Sequence, residues 1–288
     1  MDRLAAHRLF FAKLVTAPGG IPADSPIVAA FASTPREDFL GPGPWRIFTG
    51  SRPVETPSDD PAFLYQDVTV AIAPERGINN GQPALHAICL GALNLKEGEK
   101  VLHIGAGTGY YTALLSKLVG PGGSVTAYEI EPDLAARAKS NLANYPNATV
   151  ECRSAAQGPL PAADAIYVNA GATKPLDVWL DALRENGRLL FPLTPNDPRA
   201  GSPGVGGMLL ITRHADDAFD ARFLCQAMFI PCVGARDDTT AAKIADAFRR
   251  GGLNTVRSLR RGSSPDQTCW CAGETWWLST AENKPVEQ

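Results

Sequence analysis

The sequence predicts an α/β protein whose core is a doubly wound, mostly parallel sheet. Three observations predict it: short apolar runs typical of buried strands, amphipathic segments between them, and a glycine-rich turn after one of the strands. Their alternation along the chain is strand, helix, strand, helix. The 288 residues carry a net charge of −3 and no basic tract, which argues against a nucleic-acid partner.

We expect residues 1–75 to form an N-terminal region of helices and loops that packs on the core. Apolar residues at helical spacing predict a first helix over Asp2–Leu14. A Ser-Pro pair predicts the start of a second, short helix over Ser25–Phe31. Ser51–Phe63 is rich in Pro, Asp and Ser and predicts an exposed loop, while Val68–Pro74 predicts a short strand.

Residues 76–235 predict the core domain. The predicted helices are Ala84–Leu95, Gly109–Gly120, Pro132–Tyr145 and Pro175–Asn186. The predicted strands are Lys100–Gly105, Gly123–Glu131, Ala148–Arg153, Ala163–Gly171 and Gly187–Leu193. Two further apolar runs, Gly206–His214 and Ala221–Pro231, have no helix between them and predict a closing antiparallel pair.

Residues 236–288 form a C-terminal extension with one amphipathic helix, Thr239–Gly252, and an aromatic segment, Cys269–Ser279. The aromatic side chains either pack on the sheet or line a substrate pocket, and packing is the favoured interpretation. Four of the six cysteines lie in apolar runs and are expected to be buried free thiols of a reducing compartment, with Cys269 and Cys271 as the exception. The spacing of Cys269 and Cys271 is too narrow for a usual zinc half-site, so we expect no metal.

The glycine loop, Gly105–Gly109, reads Gly-Ala-Gly-Thr-Gly after a predicted strand. A dinucleotide fingerprint places its third glycine three positions after the second, and a phosphate loop continues with Lys and Ser or Thr, whereas Tyr110 follows here. The alternating form is typical of S-adenosylmethionine sites, where bare backbone approaches the ligand. A tight turn without a ligand is the alternative.

Glu129 lies near the end of the next predicted strand, where a carboxylate can accept hydrogen bonds from both ribose hydroxyls. The alternative is an exposed acid at a strand end. Together with the loop, Glu129 predicts a methyltransferase-type core that binds S-adenosyl-L-methionine. The loop residues Ala106, Thr108 and Tyr110 and the neighbouring Ile130 complete the predicted cofactor contacts on this side.

Several segments, in this order, resemble the protein-L-isoaspartate O-methyltransferase family. They are SPIVAAFASTPREDFL, LYQDVTVAI, GQPALHAICLGALNLKEGEKVLHIGAGTGY, VTAYEIEPDLAARAKSNL, ADAIYVNAGA, NGRLLFPL and MFIPCVGA. The resemblance implies a seven-stranded Rossmann-like methyltransferase sheet and methyl transfer from S-adenosylmethionine to the carboxylate of an isoaspartyl residue. It also implies that Gly105, Gly107, Gly109, Glu129 and Asn169 belong to the cofactor site.

The sequence departs from the family pattern at three places. Asn79-Asn80-Gly81 stands where the substrate loop normally reads Thr-Ile-Ser, so a hydroxyl contact is lost and two amides offer hydrogens instead. Ser154 and Ala155 stand where a Gly-Asp-Gly run supplies the adenine acceptor, which leaves at best a serine hydroxyl. His103 replaces an acidic residue before the glycine loop.

The predicted catalytic group is Asn79, Asn80 and Gly81 with His86 on the following helix. We expect His86 to touch the substrate and His103 the cofactor, and we expect Gly81→Ser to restore or raise isoaspartyl activity. A carboxylate acceptor is already ionised at neutral pH and needs no general base.

Three functions stay open at this point. The first is carboxyl methylation of an isoaspartyl or aspartyl group in a protein or peptide, and the second is methylation of a small molecule or a dedicated modified peptide. The third is a non-catalytic adenosyl-binding module. The N-terminus has no secretory or membrane-spanning pattern, which predicts a cytoplasmic protein without a membrane partner. If copies of the chain associate, we expect the C-terminal extension to carry the contact.

Overall fold

The computed structural model describes residues 3–48, 52–196 and 204–283, and the chain forms two compact units that meet in sequence at Arg153 and Ser154. The α/β class is confirmed. The division into residues 1–75, 76–235 and 236–288 stays a prediction. Among the described residues, no helix has both the length and the apolar character needed to cross a bilayer.

The first unit begins with helices and a small antiparallel sheet. Its elements are α1 (Arg3–Thr16), α2 (Pro26–Ser33), α3 (Glu37–Leu40), β1 (Arg46–Phe48), β2 (Pro53–Glu55), β3 (Thr69–Ala73) and β4 (Ile78–Asn79). The strands lie in the order β2-β1-β3-β4. The predicted start of α2 is confirmed, because the Ser25 hydroxyl accepts a hydrogen bond from the Val28 amide at 3.3 Å.

The predicted loop over residues 51–63 is partly wrong, although Ser51 lies outside the described residues. It contains β2 and a short 3₁₀-helix, Pro61–Leu64. The Thr56 hydroxyl, itself buried, accepts a hydrogen bond from the Trp45 amide at 2.9 Å. This bond extends the antiparallel pairing of β2 with β1, and that pairing, rather than local propensity, orders the strand. The predicted first helix is confirmed, and Asp2 likewise lies outside the described residues.

The rest of the first unit alternates helices with parallel strands. The elements are α4 (Pro83–Leu93), β5 (Lys100–Ile104), α5 (Tyr110–Val119), β6 (Ser124–Glu129), α6 (Pro132–Asn141) and β7 (Ala148–Cys152). The strands pair in parallel, with Ile104 opposite Tyr128 and Glu129 opposite Cys152. This register brings the carboxyl ends of β5 and β6 side by side, so the glycine loop lies next to Glu129.

The second unit contains a mainly antiparallel sheet. Its elements are β8 (Ala163–Val168), α7 (Asp177–Ala182), β9 (Leu183–Leu193), β10 (Gly206–Arg213), β11 (Phe219–Ala227), α8 (Asp238–Arg250), β12 (Ser258–Arg261), β13 (Cys269–Ala272) and β14 (Trp276–Ser279). β8 and β9 pair in parallel, and β10 and β11 form the predicted antiparallel pair. The C-terminal extension continues the sheet beyond β11 in the order β12-β14-β13.

The helix predicted over Pro175–Asn186 is much shorter in the structure, because α7 ends at Ala182. Leu183 already has extended backbone angles and lies opposite Ala163 of β8. The Arg213 guanidinium donates a hydrogen bond of 2.6 Å to the Leu183 carbonyl. Strand pairing therefore overrides the helical pattern at this point.

Packing explains the aromatic segment of the extension, as predicted, because Trp270, Trp276 and Trp277 are all buried. Phe223, Phe248 and Trp270 form a three-ring cluster with centroids 5.2 to 5.7 Å apart in edge-on geometry. The thiol prediction is only partly right. All six cysteines are free, but Cys152 is exposed.

Candidate active site

The glycine loop is held by backbone hydrogen bonds to the adjacent strand. The amides of Gly105 and Ala106 both donate to the Tyr128 carbonyl, at 2.9 and 3.2 Å. The three glycines have φ values of 79°, 56° and 95°, which side chains rarely adopt. A Cβ on Gly107 would also lie 3.1 Å from the Ile72 side chain. The loop therefore presents bare backbone at the carboxyl end of β5.

Glu129 is placed where the sequence predicts it. Only 6% of the residue is exposed, and its two carboxylate oxygens accept hydrogen bonds from the amides of Gly107 at 2.7 Å and Glu131 at 3.1 Å. Burial raises the pKa of Glu129, and the backbone hydrogen bonds oppose that rise. The Ile130 amide is a third backbone donor to this carboxylate, and because a carboxylate has about four acceptor sites, capacity for a further hydrogen bond remains.

Three loop residues predicted as cofactor contacts have side chains that face the protein interior. Ala106, Thr108 and Tyr110 are buried, and the Tyr110 ring packs edge-on against Phe39, with centroids 5.6 Å apart. These three residues can therefore offer a ligand their backbone but not their side chains. Ile130 is different, because 40% of it is exposed directly after Glu129.

The prediction that His103 touches the cofactor needs correction. The side chain is fully buried, and its Nδ1 lies 2.8 Å from the Thr112 hydroxyl on α5. Burial lowers the pKa of His103 to about 3, so the imidazole is neutral at physiological pH. It joins β5 to α5 and leaves no surface for a ligand.

The substrate loop, Asn79–Gln82, has two asparagines whose amide oxygens are already engaged. Asn79 Oδ1 accepts a hydrogen bond from the Gly81 amide, and Asn80 Oδ1 accepts one from the Val70 amide, both at 2.9 Å. Because only the oxygen can accept, these bonds fix both amide orientations. Asn80 Nδ2 is buried and has no hydrogen-bond partner among the described residues.

His86, which we expected to touch the substrate, is buried. Only 1% of it is exposed, and its ring stacks on Tyr111 with the centroids 3.6 Å apart. Burial, with nearby His103 and Arg36, holds its pKa well below the usual value, so the imidazole is neutral. The ring packs against the substrate loop and has almost no surface left to contact a substrate.

The geometry at Gly81 gives a reason to expect the opposite effect of Gly81→Ser, a loss rather than a gain. Gly81 has φ +73°, and a Cβ there would lie 2.2 Å from His86 Nε2. His86 occupies the space that a serine side chain needs, and its stacking on Tyr111 restricts its movement. The glycine and the buried histidine fit each other, so restoring the serine alone creates a clash.

The remaining predicted residues belong to the second unit. The Ser154 hydroxyl accepts a hydrogen bond from the Ala156 amide at 3.1 Å. Ala155 is buried, and its carbonyl accepts a hydrogen bond of 2.8 Å from the Trp179 indole. Asn169 follows the last residue of β8 and is partly buried.

Two residues that organise the substrate loop were missed as functional residues. Asp67 accepts hydrogen bonds from Gln82 and Ala84, and Arg36 is fully buried against the segment that carries Asp67. Both lie in the quoted segments PREDFL and LYQDVTVAI, which served only as marks of resemblance. A charged residue inside such a segment is the signal that could have found them.

A family profile described as protein-L-isoaspartate(D-aspartate) O-methyltransferase matches residues 52–237, which include every predicted site residue. A protein-L-isoaspartate O-methyltransferase of Roseiflexus castenholzii is 30% identical over 75% of this chain and 88% of its own length. The chain belongs to the protein-L-isoaspartate O-methyltransferase family. The enzyme of that name from Rhodopseudomonas palustris is 32% identical over 74% of this chain and 87% of its own.

Solved structures of the family share the fold. One protein-L-isoaspartate O-methyltransferase structure has a TM-score of 0.63 at 24% identity and covers 84% of this chain and 68% of its own. A second structure, from Plasmodium falciparum and in complex with S-adenosyl-L-homocysteine, has a TM-score of 0.60 at 19% identity. The match covers 79% of this chain and 98% of the other. The chain spans 63% of the family member from Ignicoccus hospitalis and 50% of that from Thermotoga maritima.

Proposed function

We propose that the protein is an S-adenosylmethionine-dependent O-methyltransferase that acts on the carboxylate of an isoaspartyl or aspartyl residue in a protein or peptide. The observation that carries the proposal is Glu129, a nearly buried carboxylate with spare acceptor capacity beside a loop of bare backbone. Family membership supports the same reaction.

The residues of the first unit fit the cofactor. Glu129 would accept hydrogen bonds from the two ribose hydroxyls of S-adenosylmethionine. The backbone of Gly105–Gly109 would approach the amino-acid end of the cofactor, and the exposed Ile130 would pack against its flat adenine ring. Ser154, Ala155 and Asn169 stay predictions from the sequence. When bound, S-adenosylmethionine supplies a methyl group made electrophilic by the positively charged sulfur.

The substrate loop supplies what an anionic acceptor needs. With both amide oxygens engaged, Asn79 and Asn80 can present only N–H donors, which suit a carboxylate. A buried donor such as Asn80 Nδ2 is costly unless it meets an acceptor. We therefore assign the two amides to acceptor binding and orientation. His86 is neutral and packs against Gly81, and a carboxylate acceptor requires no general base.

A second candidate acceptor is favoured by one observation. Gly81 and His86 exclude the serine that the family places in this loop, so a small-molecule carboxylate or a dedicated modified peptide is the alternative substrate. Contact between copies through the C-terminal extension and the cytoplasmic location stay predictions from the sequence.

Labelled methyl transfer tests the proposal directly. The purified protein is offered an isoaspartyl peptide, the matching aspartyl peptide and a metabolite extract, and binding of S-adenosylhomocysteine is measured by calorimetry. We expect incorporation into the isoaspartyl peptide. Incorporation only into extract metabolites favours the small-molecule candidate, and binding without any transfer identifies a non-catalytic adenosyl-binding module. Absence of binding overturns all three.

A further inference from the structure

Arg36 is the most completely buried charged side chain of the first unit's described part, and it fixes one short segment. Its guanidinium donates to the carbonyls of Leu64, Gln66 and Val68, the last two at 3.0 and 3.2 Å. It also lies 5.3 Å from the Phe11 ring centroid. Because three carbonyls of one segment converge on one cation, the backbone around Asp67 has little freedom.

Asp67 joins this fixed segment to the exit of the substrate loop. Its Oδ1 accepts a hydrogen bond from the Ala84 amide at 2.7 Å, and its Oδ2 accepts one from Gln82 Nε2 at 2.8 Å. Helix α4 begins at Pro83 with no cap from the side chain of Gln82, its own N-cap residue. Asp67 therefore supplies the cap from a distant part of the chain, next to the positive end of the helix dipole.

The entry of the substrate loop is bound to the same stretch of chain. The Asn80 amide donates to the Val70 carbonyl at 3.0 Å, and the Val70 amide donates back to Asn80 Oδ1. Val70 lies two residues after Val68, which Arg36 binds. Both ends of the loop are thus attached to a segment that Arg36 holds.

We propose that Asp67 is a positioning residue of the reaction, which sets the substrate loop at the place from which Asn79 and Asn80 bind the acceptor. Arg36 holds Asp67 in turn. This inference rests on the proposed function. Since a displacement of about 1 Å can lower a rate by about a hundredfold, loss of the two Asp67 bonds weakens acceptor use without touching the cofactor side.

The main test compares Asp67→Ala with Asp67→Asn. Alanine removes both acceptors, whereas asparagine keeps an oxygen for the Ala84 amide and can donate to a turned Gln82 amide. We expect Asp67→Ala to raise the KM for an isoaspartyl peptide about tenfold, with the S-adenosylhomocysteine Kd within about twofold, and Asp67→Asn to keep most of the affinity. Asp24→Ala, at an exposed aspartate, is the matched control.

A charge swap sharpens the test. Gln82→Glu alone places two carboxylates side by side, and we expect it to raise the KM for the peptide. In the double variant with Asp67→Asn, the new amide can donate to the new carboxylate, and we expect the KM to fall again. An unchanged peptide KM in Asp67→Ala, an equal loss of cofactor affinity, or failure of the double variant to recover overturns the proposal.

Amide hydrogen exchange separates this inference from the proposed function. If the wild-type protein methylates no isoaspartyl peptide, the proposed function fails, yet the role of Asp67 can still be decided. Faster exchange in residues 79–86 of Asp67→Ala, with residues 104–112 unchanged, supports positioning of the loop. Exchange that is faster throughout the chain, or exchange that is unchanged in residues 79–86, contradicts it.

Discussion

The glycine loop and the substrate loop lie in the same unit but are held by different means. The glycine loop depends on its own backbone and on the end of the neighbouring strand, where Tyr128 and Glu129 accept hydrogen bonds from the amides of the loop. The substrate loop depends on side chains from elsewhere in the chain, chiefly Asp67 and His86. The first arrangement tolerates little change in its own sequence, whereas the second can change if its supports change with it.

This difference explains why the two loops relate so differently to the family pattern. The glycine loop keeps the family's residues, because positive φ angles and close backbone approach leave few substitutes. In the substrate loop, Gly81 stands where the family pattern has a serine, and His86 occupies the space that a side chain there would need. The predictions below test whether these supports act separately.

The largest effect is expected from Arg36→Met. The substitution leaves three carbonyls without their donor in a buried place, so we expect the free energy of unfolding to fall by about 3 to 5 kcal/mol. Urea unfolding at neutral pH measures it. Arg249→Met is the control, because Arg249 is highly exposed and its ion pair with Asp246 lies on the surface. If the free energy of unfolding fell no further in Arg36→Met than in the control, Arg36 would not be what stabilises this segment.

Glu129→Ala should break the cofactor side alone. Loss of a carboxylate that binds the ribose is expected to raise the Kd for S-adenosylhomocysteine about ten- to a hundredfold, as measured by calorimetry. Glu131→Ala, which removes a partner of Arg76 at the surface, is the control and should change the Kd little. Unchanged binding in Glu129→Ala would defeat the assignment of the ribose contact.

Gly81→Ser should break the substrate loop. The positive φ and the clash with His86 predict a loss of about 2 kcal/mol of stability and a lower affinity for the peptide acceptor. Thermal unfolding and the peptide KM measure the two effects. In Gly81→Ser with His86→Ala the clash is relieved, so we expect a smaller loss than the sum of the single variants. Strict additivity would show that the two residues do not share this space.

The smallest effect concerns pH. The pKa of His103 is about 3 in the folded chain, below its ordinary value of 6.5, so the unfolded chain binds more protons between these values. Stability is therefore lost as the pH falls from 6.5 towards 3, by about 1 kcal/mol at pH 5.5 for this residue. His86 acts in the same direction.

Unfolding experiments between pH 7.5 and 5.5 test this sign. His103→Asn should reduce the loss of stability on acidification, and His7→Asn, at an exposed residue of α1, is the control. An acid-induced loss that is the same in wild type and His103→Asn would contradict the assignment.

Much of the core could be predicted from the sequence because its signals are local. Apolar runs bounded by glycine and proline gave the parallel strands, and Ser25 gave the start of α2. The errors share one cause, contact with distant residues. Pairing with Ala163 ends α7 early, and pairing with Trp45 orders the stretch around Thr56. A window of neighbouring residues contains no trace of such partners.

The same division applies to the site. The sequence by itself determined the glycine loop and the acid at Glu129, because each position demands one residue type for reasons of backbone geometry or charge. Only the tertiary structure decided that His86 and His103 are buried supports and that Asp67 caps α4. Whether a polar side chain faces a ligand or the interior depends on what packs against it, and those neighbours come from remote parts of the chain.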